Sequence, residues 1–101
     1  MQQLTSRDFD EFIRHDGYSV VLFSLSGCKP CMSVRGQLEP IARQISCGVI
    51  NIQKNIQLMN RYKLIGFPTI VLFKNGKEID RKKGYSTTEQ LEQWLDLYRK
   101  D

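Results

Sequence analysis

The chain has 101 residues, 41% of them hydrophobic and 26% charged, and carries a net charge of +4 at neutral pH. This length supports a single domain over residues 1–101, and the balance of residue types excludes disordered and collagen-like classes. The positive residues are scattered, with Arg81-Lys82-Lys83 as a local cluster. The excess therefore reads as a solvated face with at most a mild preference for acidic partners, and no nucleic-acid binding is expected. The longest apolar runs, residues 20–23 and 70–73, are too short to span a bilayer, and residues 1–10 lack the apolar stretch of a leader, so the expectation is a cytoplasmic chain with no membrane association.

Along the chain, Thr5-Ser6-Arg7-Asp8 reads as a helix start, a hydroxyl followed three residues later by a carboxylate. Phe9, Phe12 and Ile13 repeat at helical spacing, and Asp16-Gly17 stops the element. The run Tyr18-Ser19-Val20-Val21-Leu22-Phe23 is short and β-branched, the pattern of a strand buried on both faces. Val34, Leu38, Ile41, Ala42 and Ile45 then mark one face of a helix running to about Ser46, with a bend near Gly36 to Pro40, because proline removes a helical hydrogen bond. A strand over residues 49–52 follows. A short helix marked by Ile56, Met59 and Tyr62 closes at Lys63 and Gly66.

Residues 70–73 read as a strand, and Asn75-Gly76 as a two-residue hairpin turn returning through residues 78–82. Gly84 breaks that strand. Ser86 with Glu89 forms a second capping box, and Leu91, Trp94, Leu95 and Tyr98 define a last amphipathic helix. The order is a short strand, then α-β-α-β-α-β-β-α, which argues for an α/β mixed sheet covered on both faces.

Chemistry enters with the cysteines. An odd count of three does not suit a secreted disulfide scaffold, and Cys28 and Cys31 stand two residues apart, a spacing that points to redox chemistry or metal. Zinc normally takes about four ligands, and only Cys47 and His15 remain, neither at convincing spacing. No metal site is expected. An inert pair is the bland alternative. Cys47, placed at the end of the second helix, reads as a buried free thiol. His15, at the end of the first helix, reads as a C-terminal dipole partner.

This order, with Cys28-Lys29-Pro30-Cys31 opening the second helix, resembles thioredoxin. The carrying residues are Val20-Val21-Leu22-Phe23, Cys28-Lys29-Pro30-Cys31, Ile65-Gly66-Phe67-Pro68-Thr69, Leu72-Phe73-Lys74-Asn75-Gly76-Lys77 and Gly84. The match spans nearly the whole chain. The resemblance implies a thioredoxin fold, a central mixed sheet of four to five strands flanked by four helices. It also implies a thiol–disulfide oxidoreductase that reduces protein disulfides through a Cys28/Cys31 dithiol cycle, with no cofactor beyond that redox-active disulfide. In the family the proline matching Pro68 is cis, and the backbone of the residue before it, here Phe67, pairs with an extended substrate segment. Gly84 would allow close backbone approach. Substrate contacts are expected at Gly27, Lys29, Pro30, Phe67, Pro68 and Gly84.

Cys28 would sit at a helix N-terminus, where unsatisfied N–H groups lower a thiol's pKa below its free value of about 8.5. It would attack a substrate disulfide and Cys31 would resolve the mixed disulfide. Pro30 suits the first helical turn. The expected partners are disulfide-containing proteins and a flavoprotein thioredoxin reductase as electron donor, acting on a monomer.

Three departures bear on this reading. The family usually carries a buried Asp where Leu22 stands and a Lys near Val49. It usually has tryptophans where Gly27 and Ser24 stand. Its helix proline is replaced by Gly36, with Pro40 one turn later. The lost Asp leaves Cys31 without an obvious general base and implies slower resolution or a shifted potential. Two alternatives follow: a binding module using the groove around Phe67-Pro68 without turnover, and a glutaredoxin-like electron donor dedicated to one enzyme. Glutaredoxins typically place Thr-Val before the cis-proline and a Gly-Gly pair after it, whereas Gly66-Phe67 precede Pro68 here and only Gly84 follows, which disfavours glutathione.

Overall fold

The computed structural model describes residues 1–99. Its elements run β1 (Gln2–Leu4), α1 (Ser6–Ile13), β2 (Tyr18–Ser24), α2 (Lys29–Leu38), β3 (Ser46–Asn51), α3 (Ile56–Arg61), β4 (Thr69–Lys74), β5 (Lys77–Lys83) and α4 (Thr88–Asp96). They build one five-stranded mixed sheet of order β1-β3-β2-β4-β5. Strands β1, β3 and β2 are parallel, while β4 runs antiparallel to both β2 and β5.

The middle of strand β2, residues 20–23, is apolar because both its faces are covered. Val20 and Leu22 join a cluster with Val34 and Leu38 of α2 and Leu91, Trp94 and Leu95 of α4. Val21 and Phe23 point the other way, into a cluster with Phe9 and Ile13 of α1 and Leu58 of α3. Strand β4 divides its residues likewise, Ile70 and Leu72 to the first cluster and Val71 and Phe73 to the second. Each such large side chain contributes roughly 1.5–3 kcal/mol through burial, so two complete apolar faces hold three layers together.

Local signals explain the ends. The Asp8 carboxylate accepts the Thr5 N–H at 2.7 Å, fixing the start of α1. Asn75 and Gly76 have φ of 55° and 79°, the left-handed pair that a tight hairpin turn requires. That turn is also held from outside: the Asn75 N–H donates to the His15 carbonyl at 3.2 Å and the Gly76 N–H to that of Ile13 at 3.0 Å.

Five expectations are corrected. Helix α2 ends at Leu38 instead of continuing to about Ser46, and a separate 3-10 turn covers Ile41–Arg43. Pro40 offers no N–H to continue the helix, so the chain turns out of it. Strand β3 accordingly begins at Ser46 and ends at Asn51, and Ile52 opens a further 3-10 turn. Cys47 therefore lies in β3 opposite Val20, not at a helix end.

The cap of α4 is Thr87, not Ser86. Thr87 Oγ1 accepts the Gln90 N–H at 3.1 Å, Gln90 Oε1 accepts the Thr87 N–H at 2.9 Å, and Ser86 is buried. Finally, α1 stops at Ile13, so His15 is a loop residue. Its Nδ1 accepts the Gly17 N–H at 3.0 Å, which leaves the Nε2 proton for Ser19 Oγ. It pins the loop before β2 and does not cap the helix.

Candidate active site

The register of the sheet decides which loops meet. Phe23 of β2 lies opposite Thr69 of β4, and Thr69 lies opposite Lys83 of β5. The end of β2, the start of β4 and the end of β5 therefore share one end of the sheet. The segments that leave it are residues 25–28, 66–68 and 84–86, which gathers Gly27, Cys28, Phe67, Pro68 and Gly84.

Cys28 is the N-cap of α2, and its Sγ accepts the Cys31 N–H at 3.2 Å. Pro30 stands in the first turn, where a missing N–H leaves nothing unpaired. Cys28 and Cys31 are disulfide-bonded with their Cα atoms 5.3 Å apart, inside the usual span for a disulfide. The two sulfurs are not equivalent. Cys31 is 1% exposed, whereas Cys28 is half-buried. A partner can thus reach Cys28 while Cys31 stays behind it. The donated N–H and the positive end of the helix dipole both favour an anionic sulfur at Cys28.

The facing loops are tied together. The Phe67–Pro68 peptide bond is cis, the Gly84 N–H donates to the Pro68 carbonyl at 2.9 Å, and Thr69 Oγ1 donates to the Gly66 carbonyl at 2.9 Å. Phe67 precedes β4, so its own N–H and carbonyl lie outside the ladder of the sheet. Gly84 has φ of 80°, the left-handed conformation a side chain would strain.

Sequence reasoning missed a polar clamp on the loop that delivers Cys28. Gln53 Oε1 accepts the Ser26 N–H at 3.0 Å, and Asn51 Nδ2 donates to Ser26 Oγ at 2.7 Å. Asn51 Oδ1 also accepts the Gln53 N–H at 2.9 Å, which orients both side chains. No motif marks these residues, since the contact joins segments far apart in the chain. Behind the dithiol, Leu22 pairs with Val49 across β2 and β3, and both are buried. That position holds no proton acceptor.

Cys47 shares nothing with this site. Burial pushes its thiol up to about 12, with smaller opposing influences from the N-terminal ammonium, which lowers it, and Glu39, which raises it. Among the described residues no group of His, Cys, Asp or Glu converges on a point that could hold a metal ion, and no helix is long and apolar enough to cross a membrane.

A family model described as thioredoxin matches residues 1–97. The chain belongs to the thioredoxin family. Thioredoxin from Chlamydia pneumoniae is 34% identical over 91 residues, covering 87% of this chain and 88% of that protein. Thioredoxin from Buchnera aphidicola is 32% identical over 103 residues, with 97% and 94% covered. A mutant thioredoxin from Halobacterium salinarum superposes with a TM-score of 0.91 at 21% identity, covering 99% of this chain and 91% of that one. The family's chemistry is protein thiol–disulfide exchange, and the Cys28–Cys31 pair supplies the cysteines that thioredoxin chemistry requires.

Proposed function

We propose that this chain reduces protein disulfides, with Cys28 as the nucleophile and Cys31 as the resolving thiol. The observation that carries the reading is the inequality of the pair: Cys28 Sγ caps α2 and accepts the Cys31 N–H, while Cys31 is buried. The reduced Cys28 thiolate attacks one sulfur of a substrate cystine, forming a mixed disulfide and releasing the other sulfur as thiolate. Cys31 gives up its proton and attacks Cys28 Sγ, which closes the intramolecular disulfide and releases the second substrate thiolate. Two electrons thereby pass to the substrate, whose thiolates take one proton from Cys31 and the other from solvent.

Gly27, Lys29, Pro30, Phe67, Pro68 and Gly84 form the surface on which the substrate segment lies, with the Phe67 backbone as its pairing edge. Leu22 and Val49 put no carboxylate behind Cys31, so water or the departing thiolate takes its proton, and resolution is the slow half of the cycle. A flavoprotein thioredoxin reductase restores the dithiol in the cytoplasm, and the protein acts as a monomer. The same Leu22–Val49 pair also favours a second reading, a binding module that engages the groove without turnover.

Insulin reduction with a dithiol electron source separates the two. The wild-type chain turns over, Cys28→Ser falls to the uncatalysed rate, and Cys31→Ser accumulates a mixed disulfide through Cys28. A Cys28→Ser variant as active as the parent would overturn the assignment.

A further inference from the structure

Beside the dithiol lies an open cavity of about 620 Å³ lined by Lys29, Pro30, Ser33, Gln37 and Tyr85. We propose that it is a specificity subsite for an acidic side chain, Asp or Glu, flanking the cystine of the substrate polypeptide. The proposal rests on the reading of Cys28–Cys31 as the reducing pair and adds which substrates that pair prefers.

The lining is rich in donors. The Lys29 ammonium offers donors and no acceptor, and Lys29 forms no ion pair among the described residues. Gln37 Oε1 already accepts the Thr88 N–H at 2.8 Å, which holds the amide oxygen toward α4 and leaves the amide NH2 for an occupant. Ser33 and Tyr85 each add a hydroxyl, and Tyr85 is 50% exposed. No carboxylate lines the cavity, and the first turn of α2 holds none. Glu89, in the first turn of α4, is not among the lining residues.

A carboxylate is an acceptor-only group that pairs with the Lys29 ammonium in the first turn of α2 or with the Gln37 amide in its last. An apolar side chain would desolvate those donors without pairing them, and a basic one would meet Lys29 at close range. The Pro30 and Tyr85 rings supply apolar walls for the methylenes of the acid. The net charge of +4 favours the approach of acidic partners over the whole surface.

The test uses model peptides in which one cystine is flanked on both sides by Glu, Gln or Lys. The readout is the ratio of kcat/KM for the Glu peptide to that for the Lys peptide. A ratio cancels any change in the intrinsic reactivity of Cys28, which a neighbouring charge also alters. The wild-type chain should favour the Glu peptide about fivefold, the scale of one partly exposed ion pair, and less so as ionic strength rises. Lys29→Gln should bring the ratio to near unity and Lys29→Glu should invert it. Lys77→Gln, at the hairpin end of β5, makes the same change in net charge and should leave it unmoved.

A wild-type ratio near unity, or equal losses in Lys29→Gln and Lys77→Gln, would overturn the subsite. Insulin reduction run in parallel keeps the two ideas apart. If insulin turnover is absent the reductase reading fails, and if it is intact while the ratio is flat only the subsite fails.

Discussion

The three cysteines show how far position alone separates identical side chains. Cys28 stands at a helix start with an N–H on its sulfur, Cys31 is buried behind it, and Cys47 lies in the middle layer of the molecule opposite Val20. The sequence distinguished the pair from the single thiol by spacing. It misplaced Cys47, because a run of apolar residues past Pro40 has the same period whether the helix continues or not. Its burial has a consequence for pH. A thiol raised to about 12 in the folded protein and near 8.5 when unfolded favours folding below the unfolded value. That contribution is lost as pH climbs toward the folded value. Unfolding by denaturant at stepped alkaline pH should show stability declining above about pH 9, and Cys47→Ala should reduce that decline. With the Cys28–Cys31 disulfide intact, iodoacetamide should label Cys47 only after unfolding, and labelling of Cys47 in the native chain at neutral pH would contradict its burial.

At the scale of elements, amphipathic periods and turn residues made β2, β4, the Asn75-Gly76 hairpin and α4 readable, since each follows from a local rule. The cap of α4 was ambiguous for a local reason too: Ser86 and Thr87 each have an acid or amide three residues on, and the fold buries Ser86 and leaves Thr87 to cap. What fastens α4 to the sheet could not be read locally. Asp80 of β5 accepts hydrogen bonds from Trp94 Nε1 at 3.0 Å and from the Tyr98 hydroxyl. Burial alone would raise its pKa, but the bonds donated by Tyr98, Trp94 and the Arg81 N–H prevail and hold the carboxyl below its ordinary value. A depressed acid stabilises the fold above its unfolded value of about 3.9 and loses that contribution as pH falls through the folded value. Asp80→Asn should cost about 1 kcal/mol at neutral pH, with a shallower loss of stability on acidification. Equal stability of variant and parent across the acid range would show that the contact carries no weight.

The whole molecule does what no single element can. One sheet order gathers three loops at one end, so that residues 25–28, 66–68 and 84–86 meet around the disulfide, a groove the sequence pointed to only through the family resemblance. The resemblance over Cys28-Lys29-Pro30-Cys31 and Gly66-Phe67-Pro68-Thr69 made the fold and the cysteine pair legible. The clamp from Asn51 and Gln53 onto Ser26, and the cavity that Tyr85 lines together with α2, stayed hidden because they join segments distant in sequence and follow no motif.

Whether Cys28 and Cys31 form a reducing dithiol is decided by the reduction potential of the pair, equilibrated against defined thiol–disulfide buffers. The expected value is about −270 mV, that of a reducing thioredoxin. A value at about −180 mV or above would mark an isomerase or oxidant and would contradict the direction of electron flow proposed for this chain.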